Sequence, residues 1–210
     1  MKVVGVYLAA GDSRRMRRNK LALELNGSPL GSLALQSALA STINHVLVMT
    51  KQDDKLDWIA PHLFTQEYRK KWTSIQLKES NQGQSYSIRS GLQEAIDLGA
   101  DAIVLQLADQ PYVDTTIINL LIEAFEKDPA KLFFACSHQG VVRPPVLFTE
   151  KFFSILMGLK GDRGARDLLN GHYREKGEIV KYDKEELFVD VDTIEDYVKI
   201  TNVSRNLFHK

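Results

Sequence analysis

Short apolar runs alternate with longer amphipathic stretches along most of the chain. The apolar runs are nearly continuous rather than alternating with polar residues, a pattern typical of strands that are covered on both faces. These runs predict strands at residues 3–9, 45–49, 74–77, 101–107, 131–137 and 187–191. The stretches between the strands predict helices at residues 30–41, 53–60, 85–98, 115–127, 151–157, 164–170 and 194–203.

Several predicted helices carry the signals of a helix start or end. Asp114 and Thr193 each precede a helix as N-cap residues, and Gly99 follows helix 85–98 as a C-cap. Because strands and helices alternate, we expect a mainly parallel sheet with helices on both faces, which is an α/β arrangement. Ligands of such proteins bind at the carboxyl ends of the strands, so the residues just after each strand are the first candidates for a site.

The first predicted strand ends in a turn of small residues that is followed by cations. Small side chains let a ligand approach the backbone closely, and Gly11 can take a positive φ that turns backbone N–H groups toward one side. Arg15 and Lys20 follow and can supply fixed positive charges for phosphates. The loop is neither a Walker A nor a GxGxxG motif, and a solvated basic loop or a nucleic-acid-binding patch is the alternative. The predicted nucleotide contacts in this turn are Leu8, Ala9, Ala10 and Gly11.

Carboxylates follow two other predicted strands. Asp109 comes just after strand 101–107, and Asp190 and Asp192 stand at the end of the last predicted strand. Two acids at this spacing point to one face of a strand, where a cation would relieve their repulsion. Magnesium prefers a few carboxylates and takes water or phosphate oxygens at its other positions. The sequence therefore predicts Mg²⁺ ligands at Asp109 and Asp192, unless these residues only cap the adjoining turn and helix.

A polar, glycine-bearing loop runs into the predicted helix 85–98. The N-terminus of that helix could receive a phosphate or the edge of a base, although an ordinary helix start is the alternative. The residues of this loop that we expect to contact a nucleotide are Asn81, Gly83 and Ser85.

Arginines occur in two segments whose sequences are unusual for a purely structural role. A cation and two prolines interrupt the apolar run at residues 142–147, and glycines flank two arginines at residues 161–166. Either segment could hold an anionic substrate, and a surface turn is the alternative for each. The predicted substrate contacts are Arg143, Arg163 and Arg166.

Composition narrows the classes of partner. The 27 Lys and Arg residues balance the 27 Asp and Glu residues, so the formal net charge is zero. A neutral chain has no overall attraction to nucleic acid or to an anionic membrane, and phosphate binding has to be local. The one cysteine, Cys136, stands in an apolar run and is expected to be a small buried hydrophobe. The five histidines have no metal-ligand spacing, and we expect none of them to be catalytic.

The first apolar run is too short to span a membrane, and it lacks the long apolar region and cleavage site of a signal peptide. We therefore expect a cytoplasmic protein that binds neither a membrane nor nucleic acid.

These segments resemble, in order, the motifs of the molybdenum cofactor nucleotidyltransferase family. The first motif of that family reads LAAGxSxRMGxxK, and residues 8–20 here read LAAGDSRRMRRNK, with Arg17 where glycine is usual. Arg143, Pro144 and Pro145 stand where members often have Gly-His-Pro. The resemblance covers nearly the whole chain, through residues 83–92, 107–111, 145–148, 161–166 and 190–196.

The resemblance implies a fold, an activity and a partner. The fold is expected to be a single-domain three-layer α/β sandwich of the nucleotide-diphospho-sugar transferase type, with the domain at residues 1–203 and a C-terminal tail at 204–210. The Ala-Ala-Gly form of the first motif resembles the branch that transfers CMP, so CTP is the expected nucleoside triphosphate and molybdopterin the expected acceptor. Relatives of this length act in the maturation of molybdenum hydroxylases such as xanthine dehydrogenase, so such an apoenzyme is a possible partner.

In the expected reaction a phosphate of molybdopterin attacks the α-phosphorus of CTP, and pyrophosphate leaves. That phosphate is already ionised, so catalysis rests on positioning and charge stabilisation rather than on a general base. Asp109 and Asp192 are expected to hold Mg²⁺, while Arg15 and Lys20 neutralise the leaving pyrophosphate; Arg15, Lys20 and Asp109 are the expected catalytic residues. Use of GTP, a sugar or polyol phosphate acceptor, and a cofactor carrier without chemistry remain open. A dinucleotide-dependent oxidoreductase is disfavoured because the chain lacks the GxGxxG turn.

Overall fold

A seven-stranded sheet forms the middle layer of the protein in the computed structural model, which describes residues 1–11, 16, 18–78, 83–161, 164–182 and 185–208. The strands in these ranges are β1 (Val3–Leu8), β2 (Glu24–Leu25), β3 (Ser28–Pro29), β4 (His45–Lys51), β5 (Trp72–Leu77), β6 (Ala102–Leu107), β7 (Phe133–His138), β8 (Val141–Thr149) and β9 (Glu178–Lys181).

Helices cover both faces of the sheet. The α-helices are α1 (Leu30–Ala40), α2 (Gln66–Arg69), α3 (Gln84–Asp97), α4 (Thr115–Lys127), α5 (Glu150–Met157), α6 (Arg166–Asn170) and α7 (Ile194–Phe208), and short 3-10 helices span Lys20–Ala22, Pro61–Phe64, Arg174–Lys176 and Glu185–Phe188. Apolar residues of α1, α4 and α7 pack on one face, and those of α3, α5 and α6 pack on the other. All six residues of β1 are buried, as the continuous apolar run predicted.

The strand order is β5-β4-β1-β6-β8-β7-β9, and β2 pairs with β3 in a separate two-stranded sheet. Strands β5, β4, β1 and β6 are parallel, whereas β8 runs antiparallel to both β6 and β7. Leu8 at the end of β1 pairs with Leu107 at the end of β6, so the turns that follow these two strands are neighbours. The prediction of a mainly parallel three-layer α/β sandwich is confirmed.

The predicted strand at 187–191 is wrong. Residues Glu185–Phe188 form a 3-10 helix instead, and Leu187, Phe188 and Val191 are buried in the core without joining the sheet. The N–H of Val191 donates to the carbonyl of Asp109, 3.0 Å away, so this segment is fastened to a turn rather than to a strand.

The predicted helix at 53–60 is also wrong. Asp53 and Leu56 have φ values of 62° and 58°, which an α-helix does not allow. The Asp54 carboxylate accepts hydrogen bonds from the N–H of Leu56 and from Nε1 of Trp58, which stabilises a turn in place of a helix.

Strand β8 was not predicted because two prolines interrupt its apolar run. Ala135 of β7 pairs with Val146 and Cys136 pairs with Arg143, so Pro144 and Pro145 lie in a bulge of the ladder. Proline has no N–H to donate, and a bulge is a place where a strand tolerates it.

The structure also bears on the expected C-terminal tail, on the cysteine and on membrane-spanning helices. Helix α7 continues through the predicted boundary at residue 203, so the proposed tail begins inside a helix. Cys136 is fully buried, which raises the pKa of its thiol to about 12 and agrees with a packing role. Among the described residues, no helix is both long enough and apolar enough to cross a membrane.

Candidate active site

The ammonium group of Lys20 lies between two carboxylates. Its Nζ is 2.6 Å from Oδ2 of Asp109 and 2.9 Å from Oδ1 of Asp192. Lys20 is only 6% exposed, which is rare for lysine unless the charge is paired. The three side chains come from distant parts of the sequence, and the structure brings them together. Asp109 follows β6 as predicted, whereas Asp192 follows a 3-10 helix and a turn instead of the predicted strand.

Local structure fixes each member of this group. Lys20 begins a 3-10 helix that is capped by Asn19, whose Oδ1 accepts from the N–H of Leu21 at 3.1 Å. Asp109 follows β6, and its carbonyl accepts from the N–H of Val191. That bond holds the backbone next to Asp192 against the turn after β6.

A capping box positions Asp192 at the start of α7. Thr193 donates its N–H to Oδ2 of Asp196 at 3.0 Å, and the N–H of Asp196 donates back to Oγ1 of Thr193 at 3.1 Å. Oδ2 of Asp196 also accepts from the N–H of Asp192 at 3.3 Å. The sequence predicted that Thr193 caps this helix, and the structure confirms it.

Burial and neighbouring charges shift the pKa values of Lys20 and Asp190. Burial favours the neutral form of Lys20, but Asp109 and Asp192 outweigh it, so the pKa of Lys20 is raised. Burial raises the pKa of Asp190, and the neighbouring charge of Asp109 raises it further. Asp190 accepts a hydrogen bond from Nε2 of Gln110 at 2.7 Å and lies 3.7 Å from a guanidinium nitrogen of Arg143.

Two acceptor atoms in this region are buried without a hydrogen-bond partner: Oδ1 of Asp109 and Oε1 of Gln110. Buried acceptors are normally satisfied, so their presence beside a ligand-binding edge indicates atoms that a ligand completes. No cluster of three or more acidic, histidine or cysteine side chains suited to a metal occurs among the described residues. Two carboxylates alone would leave most positions of a divalent ion to water or phosphate oxygens.

A pocket of about 180 Å³ lies beside this group. Its floor is apolar, while its rim carries two arginines, an acid and two amides. The lining residues are Gln84, Leu105, Leu107, Gln110, Val142, Arg143, Pro144, Val146, Gly164, Ala165, Arg166, Leu169 and Asp190.

The reversed direction of β8 explains how arginine reaches this pocket. Because β8 is antiparallel to β6, its first residues lie at the edge where β6 ends, and Arg143 is among them. Arg166 reaches the same pocket as the first residue of α6. The structure thus brings together two of the three predicted substrate arginines, and Arg163 lies outside the described residues.

The predicted nucleotide turn sits where expected, but it differs in detail. Leu8, Ala9 and Ala10 are buried, whereas Gly11 is exposed. Gly11 does not have the positive φ that we expected, so the turn needs no left-handed residue there. Among the described residues, no atom lies within 4 Å of a Cβ built on Gly11. Arg15 lies outside the described residues.

Gly83 precedes α3 with a φ of 84°, a conformation that glycine adopts without strain. Ser85 is fully buried; its N–H donates to the carbonyl of Gly161 at 3.2 Å, and its Oγ accepts from Arg89 at 3.2 Å. A contact from Ser85 to a nucleotide requires these bonds to open. Asn81 lies outside the described residues.

Sequence reasoning missed the amides of Gln84 and Gln110 and assigned no site role to Asp190. Gln110 directly follows Asp109, and Asp190 stands two positions before Asp192, so adjacency to the predicted metal ligands was the available signal. Gln84 had the same signal, because it stands between the predicted contacts Gly83 and Ser85.

Known proteins share both sequence and fold with this chain. Residues 5–177 match the model of the MobA-like NTP transferase domain. The chain is 38% identical to the purine catabolism protein PucB of Bacillus subtilis (strain 168) over 196 residues, which are 93% of this chain and 94% of that protein. It is 29% identical to the molybdenum cofactor guanylyltransferase of Rhodobacter capsulatus over 124 residues, which are 59% of this chain and 60% of that protein.

The structure is similar to that of Rv0371c from Mycobacterium tuberculosis H37Rv. The TM-score is 0.77 at 23% identity, covering 96% of this chain and 99% of that one. A crystal structure of Rv0371c in complex with manganese gives a TM-score of 0.72 at 22% identity, with the same coverage of 96% and 99%. Similarity at this level of identity shows a shared fold.

Proposed function

The chain belongs to the MobA-like NTP transferase family, and we propose that it transfers CMP from CTP to a phosphate of molybdopterin, with release of pyrophosphate. The observation that carries the proposal is the ion pairing of the buried Lys20 with Asp109 and Asp192, close to a pocket that two arginines line. A nucleotidyltransferase needs a place for a cation-bound triphosphate next to a place for an anionic acceptor, and these two features supply both.

A divalent cation fits this site. The ammonium of Lys20 already stands there as a cation between Asp109 and Asp192, and Oδ1 of Asp109 is a buried acceptor without a partner. We propose Mg²⁺ with these two aspartates as ligands, and the manganese complex of Rv0371c supports a divalent ion at a fold of this kind. A bound ion supplies positive charge to the phosphate oxygens as charge builds on the leaving group.

The N-terminal half of the chain is the proposed nucleotide side. The turn of Leu8, Ala9, Ala10 and Gly11 offers open space at the end of β1, and Gly83 offers the start of α3 nearby. Arg15, Asn81 and Ser85 remain proposed contacts of the nucleotide, with Arg15 and Lys20 neutralising the pyrophosphate. The choice of CTP rests on the Ala-Ala-Gly form of the first motif.

The pocket beside the acidic group is the proposed acceptor side. Arg143 and Arg166, with Arg163, would bind the phosphate of the acceptor, since guanidinium groups pair with phosphate through two parallel hydrogen bonds. The apolar side chains among the lining residues would pack against the face of a flat ring of the acceptor. The attacking phosphate is ionised at neutral pH, so the residues orient it and need not remove a proton.

GTP is the second candidate for the donor, because one of the relatives is a molybdenum cofactor guanylyltransferase. The proposed partner that receives the product is a molybdenum hydroxylase, and the proposed location is the cytoplasm. A cofactor carrier without chemistry is distinguished from both enzymes by producing no pyrophosphate.

The test is pyrophosphate release with each of the four ribonucleoside triphosphates, in the presence of molybdopterin or of common sugar phosphates. We expect the highest rate with CTP and molybdopterin, and a loss of about a hundredfold or more in Lys20→Ala and in Asp109→Ala. Near-normal turnover in both variants would contradict the proposed roles. A strong signal with a sugar phosphate and none with molybdopterin would contradict the proposed acceptor.

A further inference from the structure

The ammonium of Lys20 occupies the place that a divalent cation needs. We propose that Lys20 and the metal ion compete for the carboxylates of Asp109 and Asp192, so that the metal binds tightly only once Lys20 has moved to the phosphates of the nucleotide. Lys20 then couples the two binding events, in addition to neutralising charge. The inference rests on the metal site proposed above.

The ammonium lies where an ion that bridges the two carboxylates would lie. Nζ of Lys20 is 2.6 Å from Oδ2 of Asp109 and 2.9 Å from Oδ1 of Asp192. A divalent ion held by these two oxygens would have to take the place of the ammonium, because magnesium needs its oxygen ligands at roughly 2.0–2.1 Å. An ammonium and a dication at such a separation would also repel strongly in a partly buried site.

Burial makes the exchange conditional on an anion. Lys20 is 6% exposed, so an ammonium that leaves the two carboxylates gives up two charge pairs in a buried place unless another anion replaces them. The phosphates of a nucleotide are the anion that the proposed reaction brings to this place. Metal without nucleotide is therefore expected to bind weakly.

The binding of nucleotide is expected to depend on the metal in the same way. If phosphates draw Lys20 away, Asp109 and Asp192 lose the cation that they share, and Asp190 stands close enough to Asp109 to add repulsion. Nucleotide alone is therefore also expected to bind weakly, while the two ligands together bind strongly. Such coupling is reciprocal, so each ligand raises the affinity of the other by the same factor.

The position of Lys20 in the chain suits this exchange. Its backbone is held by the cap of Asn19 on the short helix, whereas the four-carbon side chain has several rotatable bonds. The ammonium can therefore move between the carboxylates and a phosphate while the backbone stays in place.

The first test measures Mn²⁺ binding without any nucleotide, from the electron paramagnetic resonance signal of free Mn²⁺. Lys20→Met keeps the length of the side chain and removes the competing charge, so we expect it to bind Mn²⁺ about tenfold or more tightly than the native chain. Arg143→Gln is the matched control, because it removes one nearby positive charge that pairs with Asp190 and not with the two ligands. We expect its Mn²⁺ affinity to change by less than about threefold.

A double variant tests whether the tighter binding of Mn²⁺ by Lys20→Met depends on Asp109. Adding Asp109→Asn to Lys20→Met should abolish the tighter binding of Mn²⁺, because one of the two carboxylates is lost. The proposal is overturned if Lys20→Met binds Mn²⁺ no better than the native chain, if Arg143→Gln gains as much, or if the double variant keeps the gain.

A second measurement uses the native chain and covers the case in which Lys20→Met does not fold. Saturating Mn²⁺ should release the ammonium of Lys20 from its carboxylates, which should raise the rate of its acetylation by a water-soluble reagent, read by mass spectrometry. Lys71, which donates to the carbonyl of Leu39 away from the site, is the internal control. An unchanged rate at Lys20 under saturating Mn²⁺ contradicts the exchange.

These results separate the inference from the proposed function. If the native chain releases pyrophosphate but Lys20→Met does not bind Mn²⁺ more tightly, the proposed function stands and the proposed exchange is contradicted. If Lys20→Met binds Mn²⁺ more tightly but the native chain releases no pyrophosphate, the exchange stands and the proposed transferase activity is contradicted.

Discussion

Gly91 in α3 lies so close to Val6 in β1 that a Cβ on the glycine would be 2.5 Å from Cγ1 of Val6 and 3.1 Å from Sδ of Met49. The helix therefore rests on the sheet with no room for a side chain at this position. Two effects of a Gly91→Ala substitution oppose each other, because alanine favours a helix interior by about 0.5–1 kcal/mol over glycine, whereas overpacking a core costs about 1–3 kcal/mol.

We expect overpacking to win, because the nearest atom belongs to a short branched side chain in a fully buried strand and not to the end of a flexible one. Gly91→Ala should lower the free energy of unfolding by about 1–2 kcal/mol, the difference between the two effects. Urea denaturation followed by circular dichroism measures the change. An increase in stability would mean that α3 can move away from the sheet at little cost.

Gly11→Ala should behave in the opposite way. No atom of the residues that the structure describes lies within 4 Å of the Cβ that it adds, so the free energy of unfolding should stay within about 0.5 kcal/mol of the native value. Its affinity for nucleotide should fall about tenfold, because the proposed phosphates approach this backbone closely. Isothermal titration calorimetry with CTP and Mg²⁺ checks the affinity, and unchanged binding would place the phosphates elsewhere.

Gly164→Ala should affect the acceptor and not the nucleotide. A Cβ at this position would lie 2.4 Å from Oε1 of Gln84, so the amide has to move within the pocket that both residues line. We expect the KM for the acceptor to rise by at most about tenfold, since one neutral hydrogen bond contributes roughly 0.5–1.5 kcal/mol. The KM for the triphosphate in the same variant is the control, and an equal rise in both would contradict the separation of the two sides.

Asp196→Ala should weaken the start of α7 in a pH-dependent way. Burial acts to raise the pKa of Asp196, but the hydrogen bonds from Thr193 and Asp192 together outweigh it and lower the pKa below its usual value of 3.8. The cap therefore stabilises the protein above that pH, and its contribution disappears as the pH falls through the lowered pKa. We expect Asp196→Ala to cost about 1 kcal/mol of unfolding free energy at pH 7.

The same comparison at about pH 3 should show a smaller difference between the native chain and Asp196→Ala, because protonation weakens the native cap as well. Asp196→Asn is the matched control, since its side chain does not titrate. A difference between native and Asp196→Ala protein that is constant with pH would show that the carboxylate charge has no part in the cap.

The centre of the parallel half of the fold was predictable because β1, β4 and β6 are nearly continuous apolar runs, and continuous burial leaves that pattern in the sequence. The last predicted strand failed for the same reason, since Leu187, Phe188 and Val191 are as buried as strand residues but lie on a 3-10 helix and the turn after it. A run of apolar residues indicates that a segment is buried, and residues 187–191 are buried without pairing to a strand of the sheet.

The site was predictable where a residue follows a strand and unpredictable where it depends on a tertiary contact. Asp109 could be placed at the ligand edge from the alternation of strands and helices. Asp192 was placed there from a strand that the protein does not form, and the hydrogen bond from Val191 to Asp109 brings it to this edge instead. The position of Lys20 between the two could not be predicted, because it depends on the distance between a short capped helix and two turns more than 80 residues further along the chain.

The bulge of β8 has a consequence for how acceptor preference can change among proteins of this fold. Pro144 and Pro145 shift the register of β8 against β7 next to Arg143, so the length of the bulge sets which side chain faces the pocket. Lengthening or shortening that segment by one residue would exchange the side chain at this wall while leaving the parallel strands β1, β4 and β6 untouched. Insertions and deletions here are thus a route by which related chains can adopt new acceptors and retain the same donor.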